Sequence, residues 1–124
     1  MNPPHTQLTD EAYTARFSGI QRLYGTREQS ILRQAHACVI GIGGVGSWTV
    51  EALARTGIGS LTLIDLDEVC ISNTNRQIHA VQGASGHPKV EIMAQRANAI
   101  NPDCSINPIQ QFFTAKTAEE IGCM

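Results

Sequence analysis

Gly41, Gly43 and Gly46 fit the spacing G-x-G-x-x-G, with Gly44 as an extra glycine, and the apolar run 37–42 leads straight into them. Such a loop between a strand and a helix can cradle phosphate. The first glycine permits a tight turn, the second lets the backbone come close to an anion, and the third allows helix to pack on strand. Unpaired N–H groups at the start of the helix then face the anion, helped by the helix dipole. Taken alone, the pattern also fits a glycine-rich turn that binds nothing. Asp65 raises its meaning, because it stands about 20 residues on, at the end of the apolar run 61–64, where an acid can reach a ribose hydroxyl. Asp67 follows as a second candidate for the same role.

Next comes a polar stretch carrying Asn73, Arg76 and Gln77, then Gly86-His87-Pro88-Lys89. A nicotinamide-dependent oxidoreductase explains the glycines and Asp65 but leaves these residues unused. Arg76 and Lys89 would bring two positive charges toward a triphosphate, and nucleotidyl chemistry needs charge where pyrophosphate leaves. They are the candidate catalytic residues. Arg16, Arg22, Arg27 and Arg33 form a second basic group, suited either to phosphate or to a solvated helix face.

The elements that must hold these residues read as α/β, the N-terminal half of a Rossmann-like, doubly wound parallel sheet preceded by two short helices. Residues 1–8 read as a loose arm. Thr9 caps a helix reaching about Phe17, Gly25 breaks it, and Thr26 with Gln29 forms a capping box for a second helix ending near Gln34. Val45, Thr49, Ala52, Leu53 and Thr56 recur at helical spacing after the loop, with Gly57 as the cap. Lys89 opens a helix with an apolar face of Val90, Met93, Ala94, Ala97 and Ile100. Residues 105–113 form a third strand, at an edge or bulge because of Pro108. Thr117 with Glu120 starts a last helix. The division is an arm with helices over 1–35 and a nucleotide-binding unit over 36–124. That unit reads as truncated, so its sheet needs more chain or a partner.

A net charge of −2 gives no reason for nonspecific binding to nucleic acid or membrane. No apolar run reaches the roughly 18 residues of a membrane span and no signal peptide opens the chain, so the expected location is cytoplasmic. Cys38, Cys70, Cys104 and Cys123 include no C-x-x-C pair. Cys38 reads as a small buried hydrophobe and Cys123 as a packed or exposed thiol. No metal ligands are evident.

The stretches GIGGVG, LTLIDLD, SNTNRQ, GHPKVE and INP together resemble the E1-like, ThiF-type adenylating enzymes over about residues 13–113. ARTGIG, VCISNTNRQIHA and RLYG resemble most the branch that dehydrates threonylcarbamoyladenosine in tRNA. The resemblance implies that Gly41, Gly43, Gly44 and Gly46 cradle ATP, that Asp65 holds its ribose, and that Asn73, Arg76, Gln77 and Lys89 surround its phosphates. It implies magnesium, with the metal-binding aspartate outside this chain, and tRNA as substrate. A homodimer and sulfur-transfer partner proteins are also implied. The activity implied is adenylation of the threonylcarbamoyl carboxylate followed by ring closure, with these 124 residues binding nucleotide but not catalysing usefully by themselves. The rival readings are activation of a ubiquitin-like sulfur carrier and a non-catalytic nucleotide-binding fragment. One family motif departs: Gly19 stands where an N-terminal arginine is usual, and Arg22 is the only nearby substitute.

Overall fold

The computed structural model describes residues 2–121. Helix α1 (Asp10–Tyr24) begins as Thr9 accepts the Ala12 N–H, with Asp10 and Glu11 in its first turn. The expected stop at Phe17 is a bend instead. Phe17 has φ −116° and ψ 26°, and the helix continues to Tyr24. The bend is anchored: the buried rings of Tyr13 and Phe17 lie 4.8 Å apart, and the Gln29 amide donates to the Phe17 carbonyl at 2.9 Å. That bond also removes the expected Thr26–Gln29 capping box. Helix α2 (Thr26–Gln34) is preceded by Gly25 with no side-chain cap, and the Thr26 hydroxyl accepts from Gln21.

Strands β1 (His36–Ile40), β2 (Ser60–Ile64) and β3 (Ser105–Ile109) form a parallel sheet in the order β1-β2-β3. Ala37 pairs with Leu61 and Leu61 with Ile106. The middle strand carries the continuous buried run Leu61, Thr62, Leu63 and Ile64, as a two-sided strand should. Parallel neighbours need crossovers. Helix α3 (Gly46–Arg55) supplies the first, and the second holds a 3₁₀ turn (Ile71–Asn75) and helix α4 (Lys89–Ile100). Val50, Ala54, Val90, Met93 and Ala97 close the core over Leu61 and Leu63. The apolar face read for α4 is therefore the one that packs.

The helix read after the loop is present as α3, but the residues that recur at helical spacing are not its packed face. Its buried residues are Ser47, Val50, Glu51 and Ala54, while Val45, Thr49 and Ala52 are exposed. Glu51 is tolerated inside because Arg96 and Arg55 donate to its carboxylate at 2.6 and 2.7 Å. A charged residue on the packed face hides that face from a hydrophobicity pattern. Leu53, Val45 and Thr49 instead line a groove of about 530 Å³ along β1.

β3 is shorter than expected: it ends at Ile109, and Phe112 and Phe113 are exposed. Pro108 sits on this outer strand, where a missing N–H is tolerated. Helix α5 (Ala115–Ile121) starts earlier than read, because Thr114 and Thr117 exchange side-chain and backbone bonds at 2.7 and 3.2 Å. The Thr117–Glu120 box is displaced by that pair. Cys123 lies outside the described residues. Cys38 is half-buried, whereas Cys104 is fully buried and its thiol is pushed up to about 12 by burial.

The arm is not loose. The Thr6 N–H bonds the Pro102 carbonyl at 3.0 Å, and the Leu8 N–H bonds Asp103 Oδ1 at 2.7 Å. Arg33 holds Asp103, Asp10 and the Leu8 carbonyl, with its guanidinium 4.3 Å over the Tyr13 ring. Among the described residues no helix is long and apolar enough to cross a membrane.

Candidate nucleotide-binding site

The glycine loop emerges where β1 ends. Gly41 has φ +85°, a conformation that side chains other than glycine's rarely adopt. Gly46 is required for a different reason: a Cβ there would lie 1.7 Å from the Gly41 carbonyl oxygen, so only glycine lets α3 start this close to the strand. A Cβ on Gly43 or Gly44 meets nothing nearer than 3.8 Å. Those two positions leave open space beside Gln77 and Arg76, and a phosphate needs such space. Among the described residues no acceptor takes the N–H of Gly43 or Gly44. The Gly43 carbonyl, by contrast, is held by both the N–H and the hydroxyl of Ser47.

Asp65 follows β2 directly and faces the loop. Its Oδ2 accepts the Ile42 N–H at 2.6 Å and its Oδ1 accepts the Asp67 N–H at 2.8 Å. Each oxygen retains a lone pair for a further donor. Asp67 is exposed, and its carbonyl accepts the Lys89 N–H at 3.0 Å. With bonds between Val69 and residues 86 and 87, this zips residues 67–69 against 86–89 and brings Lys89 to the end of β2. Lys89 is only 7% exposed, and among the described residues no carboxylate forms an ion pair with it. Its stem is packed while the ammonium itself is not enclosed, so the charge is open to an anion placed there.

The polar stretch divides into separate tasks. Asn73 is buried and its Oδ1 accepts the Cys70 N–H at 2.9 Å, closing the 3₁₀ turn rather than facing the loop. Arg76 is exposed beside Gly44, its guanidinium donating to the Ser72 carbonyl and Asn75 Oδ1. Gln77 is buried with its Nε2 against Gly43, and its Oε1 has no partner among the described residues. The site therefore gathers Gly41, Gly43, Gly44, Gly46, Asp65, Arg76, Gln77 and Lys89 at the carboxyl ends of the strands, where ligands bind in open α/β sheets.

Sequence reasoning missed three residues. Ser47 is fully buried and its hydroxyl also accepts the Ile78 N–H at 3.3 Å. Trp48 donates from Nε1 to the Arg76 carbonyl at 3.0 Å. His79 is buried with Nε2 2.8 Å from the Ile42 carbonyl. Irregular segments carry no periodicity, so nothing in the sequence marked His79 as buried. The N-terminal basic residues, suited either to phosphate or to a solvated helix face, lie elsewhere. Arg33 is ion-paired to Asp103 and Arg16 donates to the Ile100 carbonyl, both at the amino ends of the strands, while Arg22 and Arg27 are exposed. Among the described residues no three His, Cys, Asp or Glu side chains converge to hold a metal ion.

The profile of the ThiF family matches residues 16–122. The tRNA threonylcarbamoyladenosine dehydratase of Escherichia coli K12 is 54% identical over 107 residues, 86% of this chain and 40% of that protein. The chain thus spans less than half the length of this relative. Crystal structures of the Escherichia coli tRNA N6-threonylcarbamoyladenosine dehydratase in complex with AMP and with ATP superpose with TM-scores of 0.89 at 48% identity. The AMP complex matches 95% of this chain and 48% of its own, the ATP complex 96% and 49%.

Proposed function

The chain belongs to the ThiF family, and on that premise we propose that it is the nucleotide-binding part of an ATP-dependent tRNA threonylcarbamoyladenosine dehydratase. The observation that carries this reading is the loop itself: two free N–H groups, at Gly43 and Gly44, open onto space bordered by Asp65, Arg76 and the unpaired Lys89. An adenine nucleotide fits that donor set, with Asp65 on the ribose and the glycine N–H groups on phosphate. Asp67 stands by as a second ribose acceptor. Arg76 would turn from its own loop's oxygens toward the phosphates, and Gln77 would add its amide. Asn73 contributes by fixing the turn that presents Arg76. The same reading brings magnesium with the triphosphate, its protein ligand being expected outside these residues.

The chemistry follows from the weakness of carboxylate oxygen as a leaving group. A carboxylate oxygen of the threonylcarbamoyl group attacks the α-phosphorus of ATP, and pyrophosphate departs. The mixed anhydride then loses AMP as the modified side chain closes a ring onto the activated carbonyl carbon. Arg76 and Lys89 are assigned to the charge that develops on pyrophosphate. A cytoplasmic homodimer acting on tRNA, with sulfur-transfer proteins as further partners, belongs to the same proposal.

Calorimetric titration with ATP, AMP and NAD tests the ligand class. Adenine nucleotides are expected to bind better than NAD, and Lys89→Ala is expected to weaken ATP about tenfold more than AMP. Tight NAD binding without adenine-nucleotide preference would sink the reading. The substrate is read by ATP–pyrophosphate exchange with threonylcarbamoyl-modified tRNA against a ubiquitin-like sulfur carrier, with the full-length protein.

A further inference from the structure

Ile42 is held at three points. Its side chain is fully buried in the core, its N–H is taken by Asp65 Oδ2 at 2.6 Å, and its carbonyl lies 2.8 Å from His79 Nε2. A carbonyl oxygen can only accept, so the His79 proton sits on Nε2. The peptide unit is planar and trans, so the Ile42 carbonyl and the Gly43 N–H point in opposite directions. Drawing that carbonyl inward to a buried ring turns the Gly43 N–H outward. The next peptide repeats the device, because Ser47 holds the Gly43 carbonyl and thereby turns out the Gly44 N–H.

We infer that His79 is a positioning residue for the nucleotide phosphate, setting through the Ile42 carbonyl the direction in which Gly43 offers its N–H. This rests on the nucleotide-binding reading above. The surroundings agree. His79 is 1% exposed, and its Nδ1 has no partner among the described residues, so the loop receives its one side-chain hydrogen bond. Burial holds the imidazole pKa below its usual 6.5; of the charged groups facing it, Lys89 adds to that effect and Asp65 opposes it. The flanking chain grips the first turn of α3, into which the loop runs, through Trp48 to the Arg76 carbonyl and the Ile78 N–H to Ser47. His79 is thus the inner tooth of a clasp formed by residues 76–79.

Two measurements test this on the intact protein. Long-range ¹H–¹⁵N NMR is expected to show neutral His79 protonated on Nε2 at pH 7. Calorimetry is expected to show AMP and ATP weakened about tenfold in His79→Leu, but within about threefold of the parent in His79→Gln, whose amide keeps a donor near Nε2. A neutral imidazole protonated on Nδ1 alone at pH 7 would overturn the inference, as would a folded His79→Leu that binds both nucleotides normally. If His79→Leu does not fold, the tautomer and the Gln variant decide: the inference stands only if Nε2 is protonated and His79→Gln still binds. A parent protein that binds no adenine nucleotide defeats the functional reading instead, while the tautomer still reports the clasp.

Discussion

Single glycines in this loop answer to different constraints, and substitution should separate them. Gly46→Ala puts a methyl group 1.7 Å from a backbone oxygen that cannot yield without moving the strand. It is expected to destabilise the fold by about 3 kcal/mol, as overpacking against backbone does. Gly43→Ala meets only the Gln77 amide at 3.8 Å and needs no unusual φ. Its stability should change by less than about 1 kcal/mol, while AMP and ATP affinity falls at least tenfold because the methyl takes the phosphate's space. Thermal unfolding and calorimetry on both variants check the contrast; equal losses of stability would show that the open space at Gly43 is not open. The spacing of the glycines was legible in the sequence, but this division of labour was not, since it depends on which atoms a Cβ would meet.

Among the elements, α3 and α4 are joined through one carboxylate. Arg96 of α4 reaches across to Glu51 of α3, and this hydrogen bond, more than any other cause, holds the Glu51 carboxyl below its usual 4.5; Arg55 adds to it and burial opposes it. A depressed carboxylate contributes stability that is complete above about pH 4.5 and is lost as pH falls through the lower, folded value. The parent protein should therefore lose melting temperature steeply below pH 4.5. Glu51→Gln should be less stable by about 1–3 kcal/mol at pH 7 yet show a flatter acid limb; parallel limbs in a melting series from pH 3 to 7 would contradict the pairing. The same residue explains where sequence reading stopped. α4 declared its packed face because Val90, Met93, Ala94 and Ala97 are all apolar, and β2 declared itself as an unbroken apolar run. On α3 the buried face includes Ser47 and Glu51, so the helix was legible but its packed side was not. Between β2 and α4 there is no period to read, and the roles of Asn73 and His79 came only from their hydrogen bonds.

At the scale of the molecule, the face passed over in the core is exposed on the outside. Val45 is 82% exposed, with Ile40 and Trp48 about half exposed beside the outer strand β1, and no further strand pairs with β1 among the described residues. An apolar strip along an unpaired strand invites association. The 124-residue chain should self-associate with rising concentration, and Val45→Lys together with Ile40→Lys should reduce this, as light scattering after gel filtration can show; unchanged association would place the contact elsewhere. The opposite end of the sheet is secured differently, by the arm. Leu8 and Asp103 are 95 residues apart and share a hydrogen bond, and Arg33 binds both. That closure has a consequence in time. During synthesis at about 5–20 residues per second, the first residues wait roughly 5–20 s before their partner is even made. Until then Arg33 has no Asp103, and the first turn of α1 is tied only through Arg33 to Asp10 and the Leu8 carbonyl. The arm should therefore be the last part to lock in folding, with Asp103→Asn speeding unfolding rather than slowing folding.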